Sequence, residues 1–254
     1  MPPNLNPADR RWLATNALLL AVAAATLLAT FDDGVLDLAI SRLAYDSESH
    51  RFPAQHAWLF EAVLHHGLKV AAYALAVPAL AICLIAMRGD ISWLPRRNAW
   101  LAAAGMLLVP LATASLKHLT NRHCPWSIVE FGGFAPYVGL LSTAPADLAR
   151  GVCFPAGHAS GGFAWVAWVP ALWLTRPVAA RRILCAALAS GALMGLARLL
   201  QGAHFLSHVL WSAWLAWAIT VGLSALLRVS TSASGDEAPF AHRLGPCADA
   251  VRGT

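Results

Sequence analysis

Six apolar runs separated by short polar stretches set the pattern of this chain. They extend over Trp12 to Phe31, about Val70 to Met87, about Trp100 to Leu116, about Ala159 to Thr175, about Ile183 to Leu196, and Phe205 to Leu227. A helix that crosses a bilayer needs about 20 mostly apolar residues. The runs therefore predict an all-α, polytopic membrane protein with six transmembrane helices. The first run, preceded by Arg10 and Arg11, has the outline of a signal peptide. It is long for one, and no clear A-x-A site follows it, so it reads as a retained helix. The stretch from Asp32 to Lys69 becomes an outer loop. Within it "VLDLAISRLAY" has a helical apolar rhythm and suits an amphipathic helix on the membrane surface. Residues 1–229 form one membrane domain on this reading, with a second outer loop at 117–158. Residues 230–254, beginning "STSASGDEAPF", read as a disordered cytoplasmic tail.

Composition agrees. The chain is 58% hydrophobic and only 12% charged, where soluble domains carry about 25% charged residues. The net charge of +5 raises nucleic acid as a partner, but the arginines are scattered between apolar runs and form no basic patch. They act as topology signals instead. Arg10 and Arg11 precede the first helix, and Arg88, Arg96 and Arg97 lie between the second and third. Arg176, Arg181 and Arg182 lie between the fourth and fifth, and Arg228, Arg243 and Arg252 follow the sixth. With six spans all these groups fall on one side, which the positive-inside rule makes cytoplasmic, together with both termini. Asp32, Asp33, Asp37, Asp46, Glu48 and Glu61 collect on the other side.

Three polar clusters interrupt the runs, and the topology places all of them at that other, outer face. They are "KHLTNRHCPW" (Lys117 to Trp126), "CFPAGHASGGF" (Cys153 to Phe163) and "ARLLQGAHFLSH" (Ala197 to His208). Ionisable groups at membrane depth are costly and point to function. Lys117, Arg122 and Arg198 offer fixed cations, and His158, His204 and His208 offer imidazoles. Cations with imidazoles suit an oxyanion such as phosphate. "PAGHASGG" leads into a helix whose free N–H groups also favour an anion, and Gly157 lets the backbone approach it closely. His204 and His208, at i and i+4, also have the spacing of a metal pair. No carboxylate or paired thiolate accompanies them at ligand spacing, so no metal or other cofactor is expected.

These residues resemble the type 2 phosphatidic acid phosphatase superfamily. Its pattern is K-x6-R-P, then P-S-G-H, then S-R-x5-H-x3-D. Here the first motif reads Lys117, six residues, Cys124, Pro125. The second reads Pro155-Ala156-Gly157-His158. The third reads Ala197-Arg198, five residues, His204, three residues, His208. The resemblance covers about residues 100–220. It implies that His204 attacks phosphorus to form a phosphohistidine, and that His158 protonates the leaving group and then activates water. Lys117, Arg198 and the Gly157 and His158 amides would hold the phosphoryl oxygens.

The chain departs from the family at several positions. Cys124 replaces the first-motif arginine, and Ala156 and Ala197 replace serines. His208 stands where an aspartate orients the nucleophile. Arg122 is expected to restore the lost cation and Ser160 to supply a hydroxyl. A neutral His208 is expected to accept the Nδ1–H bond of His204, with Glu130 or Asp147 as acids that could complete the relay. Of five cysteines, only Cys124 and Cys153 fall on the outer side, which is oxidising in a bacterial periplasm. A Cys124–Cys153 disulfide is expected there, with two buried free thiols as the alternative. The implied substrate is an amphiphilic lipid phosphate: phosphatidic acid, phosphatidylglycerol phosphate, undecaprenyl diphosphate or a lipid A phosphate. The implied location is a bacterial inner membrane, with the site facing the periplasm. The competing readings are a haem-binding protein, an intramembrane serine protease, and a transporter or non-catalytic lipid-phosphate binder of the same fold. The "HASGG" spacing is wrong for a protease, because Ser160 follows His158 by two residues.

Overall fold

Helix caps and packing, more than hydropathy, decide where the elements begin and end. The structure, a computed structural model, describes residues 6–89 and 91–231; residues 232–254, most of the expected tail, lie outside the described residues. Helix α1 spans Pro7–Phe31. It starts upstream of its apolar run because the Asn6 side chain accepts the Asp9 N–H at 2.7 Å and Pro7 sits in its first turn, a favourable start that takes in Arg10 and Arg11. Helix α2, Val35–Arg42, is the amphipathic segment. A π-helical stretch, Leu59–Gly67, runs directly into α3, Leu68–Arg88. The end of the expected outer loop is therefore helical. Helix α4 spans Arg96–Thr120 and includes Lys117 in its last turn. Helix α7, Pro177–Leu200, is much longer than its apolar run, and α8 is Leu206–Leu227.

Five helices among the described residues are long and apolar enough to cross a bilayer: α1, Leu59–Arg88, α4, α7 and α8. The chain is a multi-pass helical membrane protein. The fourth expected span is different. It is a composite of α5 (Gly157–Phe163), a 3-10 turn (Ala164–Ala167) and α6 (Trp168–Leu172). At 1.5–2 Å per residue it covers roughly 25–30 Å. It still links the two ends of the bundle. The Ala156 N–H donates to the His208 carbonyl at 3.1 Å at one end, and Asn98 Nδ2 donates to the Ala171 carbonyl at 2.7 Å at the other. Being almost wholly buried, it needs less apolar length than a lipid-facing helix. Gly162 makes this burial possible: a Cβ there would lie 2.4 Å from the Gly191 nitrogen of α7. Small residues of this kind let membrane helices approach backbone to backbone.

The two ends of the bundle differ in charge. Asp9 accepts bonds from Ser230 Oγ and Thr231 N, both at 2.9 Å, which sets the start of α1 beside the end of α8. Thr175 Oγ1 donates to the Trp93 carbonyl at 2.8 Å, joining the end of α6 to the α3–α4 turn. Val229 packs with Met87, Leu94 and Ala180. One end therefore carries Arg88, Arg96, Arg97, Arg176, Arg181, Arg182 and Arg228. The opposite end carries all three polar clusters. Ser230 and Thr231, read from sequence as the start of the tail, are fixed by Asp9 instead.

Candidate active site

The three polar motifs meet where the ends of α4 and α7 face the starts of α5 and α8. Lys117 sits in the last turn of α4, and its Nζ lies 3.1 Å from where a Cβ on Gly157 would stand. Gly157 thus leaves room for an ammonium, not only for a ligand. His158 begins α5 and lines a cavity of about 230 Å³ with Lys69, Tyr73, Met106, Pro110 and Trp165. Arg198, in the last turn of α7, donates from Nη1 to Gln201 Oε1 at 2.9 Å, lies 3.9 Å from Glu61, and sits 5.7 Å above the Trp126 ring. Fully buried Gln201 also donates to Glu61 Oε2 at 3.3 Å. Sequence reasoning missed Glu61, Gln201 and Trp126 as partners of Arg198. Glu61 lies 137 residues before Arg198, so no local pattern signals the contact.

His204 lies in the short connection between α7 and α8 and is only 4% exposed. Burial holds its pKa well below the usual histidine range, and Lys117, His208, Arg198 and His158 push it further the same way. The ring is therefore neutral at physiological pH, the state a nucleophile needs.

Cys124 and Cys153 form a disulfide, with Sγ atoms 2.13 Å apart and Cα atoms 5.3 Å apart. The Cys153 sulfur lies 3.4 Å from His204 Nδ1 and 2.9 Å from the Ala203 carbonyl oxygen. Cys153, His204 and His208 bring their donor atoms within 4.8 Å of one another. With its sulfur bonded to Cys124, Cys153 contributes no thiolate, so the set does not match a Cys–His–His metal centre. Breaking the link by Cys124→Ser opens a loop with a sequence separation of 29. The chain-entropy cost is about 3–4 kcal/mol. We expect the unfolding midpoint in detergent to fall by about 7–14 °C, read from a thermal melt beside the parent protein.

Four expectations for the site are corrected by the geometry. His208 does not hydrogen-bond His204. The ring centroids are 5.8 Å apart at 65°, and His208 is wedged edge-on between Phe154 and Phe205. Its side chain, on the buried face of α8, is directed by these aromatics and not toward Nδ1. Arg122 is not a replacement phosphate ligand. It is buried, and Nη2 donates to the Leu140 and Ser142 carbonyls at 2.9 and 2.7 Å, stapling the outer loop. Ser160 is buried too, and its hydroxyl donates to the Gly157 carbonyl at 2.7 Å within its own helix, the usual back-bond of a helical serine. Glu130 and Asp147 are exposed and complete no buried relay. For Arg122→Ala we expect a stability loss of about 2–4 kcal/mol from two charge-assisted bonds, with the KM for a lipid phosphate within twofold of the parent. A melt and a Michaelis curve on the same preparation check both.

Comparison with known proteins follows the same lines. Residues 98–231 match the PAP2 superfamily, a stretch that takes in all three motifs. The chain belongs to the PAP2 superfamily. A solved structure, that of the first transmembrane PAP2-type phosphatidylglycerolphosphate phosphatase from Bacillus subtilis, has the same fold. It covers 84% of this chain and 94% of its own length, with a TM-score of 0.51 and 20% identity. No curated protein sequence matches the chain.

Proposed function

We propose that this PAP2 protein is a metal-independent lipid phosphatase that acts through a phosphohistidine at His204. The observation that carries the reading is the convergence of Lys117, Arg198 and His158 on a buried, neutral His204. His204 attacks phosphorus in line with the departing oxygen. His158, which lines the cavity, donates a proton to that oxygen and then takes one from the water that cleaves the phosphohistidine. Lys117, Arg198 and the Gly157 and His158 amides hold the phosphoryl oxygens, where positioning and charge supply most of the rate. The disulfide clasps motif one to motif two, in place of a ligand at position 124.

The cavity beside His158 supports an amphiphilic substrate. Its walls are mostly apolar, from α3, α4, α5 and α7, and an acyl chain would fill it while the headgroup reaches His204. The arginine-bearing end is cytoplasmic by the positive-inside rule, so the composite α5–α6 segment makes the sixth crossing, both termini are inside, and the site opens to the periplasm of an inner membrane. The substrate panel is phosphatidic acid, phosphatidylglycerol phosphate, undecaprenyl diphosphate and a lipid A phosphate. Phosphate release from mixed micelles of each, with His204→Ala as the control, tests the reading. Release from none of them, or equal release by the variant, would overturn it.

A further inference from the structure

Among the described residues only two acids are buried, Asp9 and Asp37, and Asp9 lies at the arginine-bearing end. Asp37 is fully buried at the other end, although its helix α2 leaves Val35 68% and Leu43 88% exposed. No Lys or Arg pairs with it among the described residues. Its partners lie at the start of α8. That helix has Phe205 as its N-cap and no side-chain cap of its own. The Ser207 N–H donates to Asp37 Oδ1 at 3.0 Å, the Ser207 hydroxyl donates to Oδ2, and the Tyr137 hydroxyl lies 3.4 Å from Oδ2. A carboxylate at a helix N-terminus satisfies free donors and complements the helix dipole. Here the cap comes from 170 residues away in sequence.

The turn that Asp37 caps is the one that sets His204. His204 lies two residues before α8, and His208 lies within its first turn. The His208 carbonyl accepts the Ala156 N–H at 3.1 Å, so this turn is held between α2 on one side and motif two on the other. The connection from α7 is short and tied down: Ala203 N donates to the Arg198 carbonyl at 2.9 Å, and Trp126 N to the Gly202 carbonyl at 3.0 Å. Fraying the first turn of α8 must therefore move the His204 ring. We propose that Asp37 is the positioning carboxylate of this protein: it holds the His204 nucleophile by capping α8, a task to which imidazole 208, unbonded to His204, does not contribute directly. This rests on His204 being the nucleophile, as argued above.

Asp37 has a titration window that makes the idea testable. Burial pushes its carboxyl up to about 6, against the lowering effect of the Ser207 and Tyr137 bonds. A carboxyl raised in this way prefers its proton in the fold, so what it adds to the stability of the turn is fullest below the ordinary carboxylate range and weakens as pH rises through about 6. Tyr137 is the titratable group in contact with it; Asp32 and Asp33, in the turn before α2, act on the same Tyr137 hydroxyl, and Arg122 and His208 line the neighbouring pocket with Tyr137 and Ser207. Substitution at position 37 separates its contribution from theirs.

The experiment compares the parent, Asp37→Ala, Asp37→Asn and Ser207→Ala as full-length protein in detergent. It measures phosphate release from phosphatidic acid between pH 4.5 and 8.5, and hydrogen exchange of the amides of residues 205–209. In the parent, α8 protection should weaken as pH rises through about 6, where the buried carboxyl gives up its proton. In Asp37→Ala, kcat at pH 7.5 should fall about fivefold or more, the effect of losing a helix cap, with KM within twofold; Asp37→Asn, whose amide oxygen still accepts the Ser207 N–H, should keep most of kcat and lose the pH dependence near 6. Ser207→Ala keeps the backbone cap but loses a bond that lowers the Asp37 pKa, so the midpoint of its protection transition should move upward. Unchanged kcat and protection in Asp37→Ala, or a transition near pH 6 that survives in Asp37→Asn, overturns the proposal. If the parent releases no phosphate from any lipid, the enzymatic reading fails instead, and the exchange data alone decide whether Asp37 holds the turn.

Discussion

Alanine at position 204 should lower phosphate release by on the order of 10⁴-fold or more, as losing a covalent nucleophile does elsewhere. The loss should fall on kcat. Lys117, Arg198 and the α5 amides would remain to bind the phosphate, so KM should stay within a few-fold. No neighbouring group can take over the attack. His208 is buried between Phe154 and Phe205, and the Cys153 sulfur nearest His204 is committed to Cys124. Because His204 is itself buried, His204→Asn belongs beside the alanine variant. It keeps a polar side chain of similar reach, so a loss shared by both reports chemistry and not a cavity. Residual activity above about 1% of the parent would show that attack does not depend on this residue.

The second large effect is expected at Lys117. Replacing it with methionine preserves the stem and removes the ammonium. We expect kcat/KM to fall about 10²–10³-fold, the range for losing one fixed donor to the developing charge. Arg122 does not compensate, because it holds the Leu140 and Ser142 carbonyls. The two cations therefore separate cleanly: Lys117→Met should cost rate with little change in melting, and Arg122→Ala should cost melting with little change in rate. Kinetics and thermal melts of the pair decide it, and a reversal of the two patterns would mean that the phosphate site has been drawn around the wrong cation.

How far the sequence could be read depended on how local each signal was. The apolar runs located the helices because lipid demands apolar length. They mislaid helix ends such as Pro7 and Arg96, which caps and turn geometry decide. They also overstated the fourth span, since a buried segment relaxed by a 3-10 turn obeys packing and not lipid thickness. Lys117, His158, Arg198 and His204 drew notice in the sequence because they stand at the ends of apolar runs and at spacings that resemble the family pattern, and the fold brings those helix ends together. The roles given to Arg122 and Ser160 were not, because residue type says what a side chain can donate and not which carbonyl it will find. Asp37 and Glu61 were invisible for another reason. Each meets its partner across more than a hundred residues, so only the folded chain joins them. Position 208 is the most instructive. The spacing suggested a hydrogen bond to His204, and aromatic packing turned the ring elsewhere.

The most direct test of the account is to catch the intermediate. Protein mixed briefly with lipid carrying a radiolabelled terminal phosphate, quenched under alkaline conditions to preserve phosphohistidine, and digested for mass spectrometry should carry the label on His204. The label should be absent from His204→Asn and should decay at the rate of turnover. Turnover with the label on another residue, or an equal label in the His204→Asn variant, would contradict it.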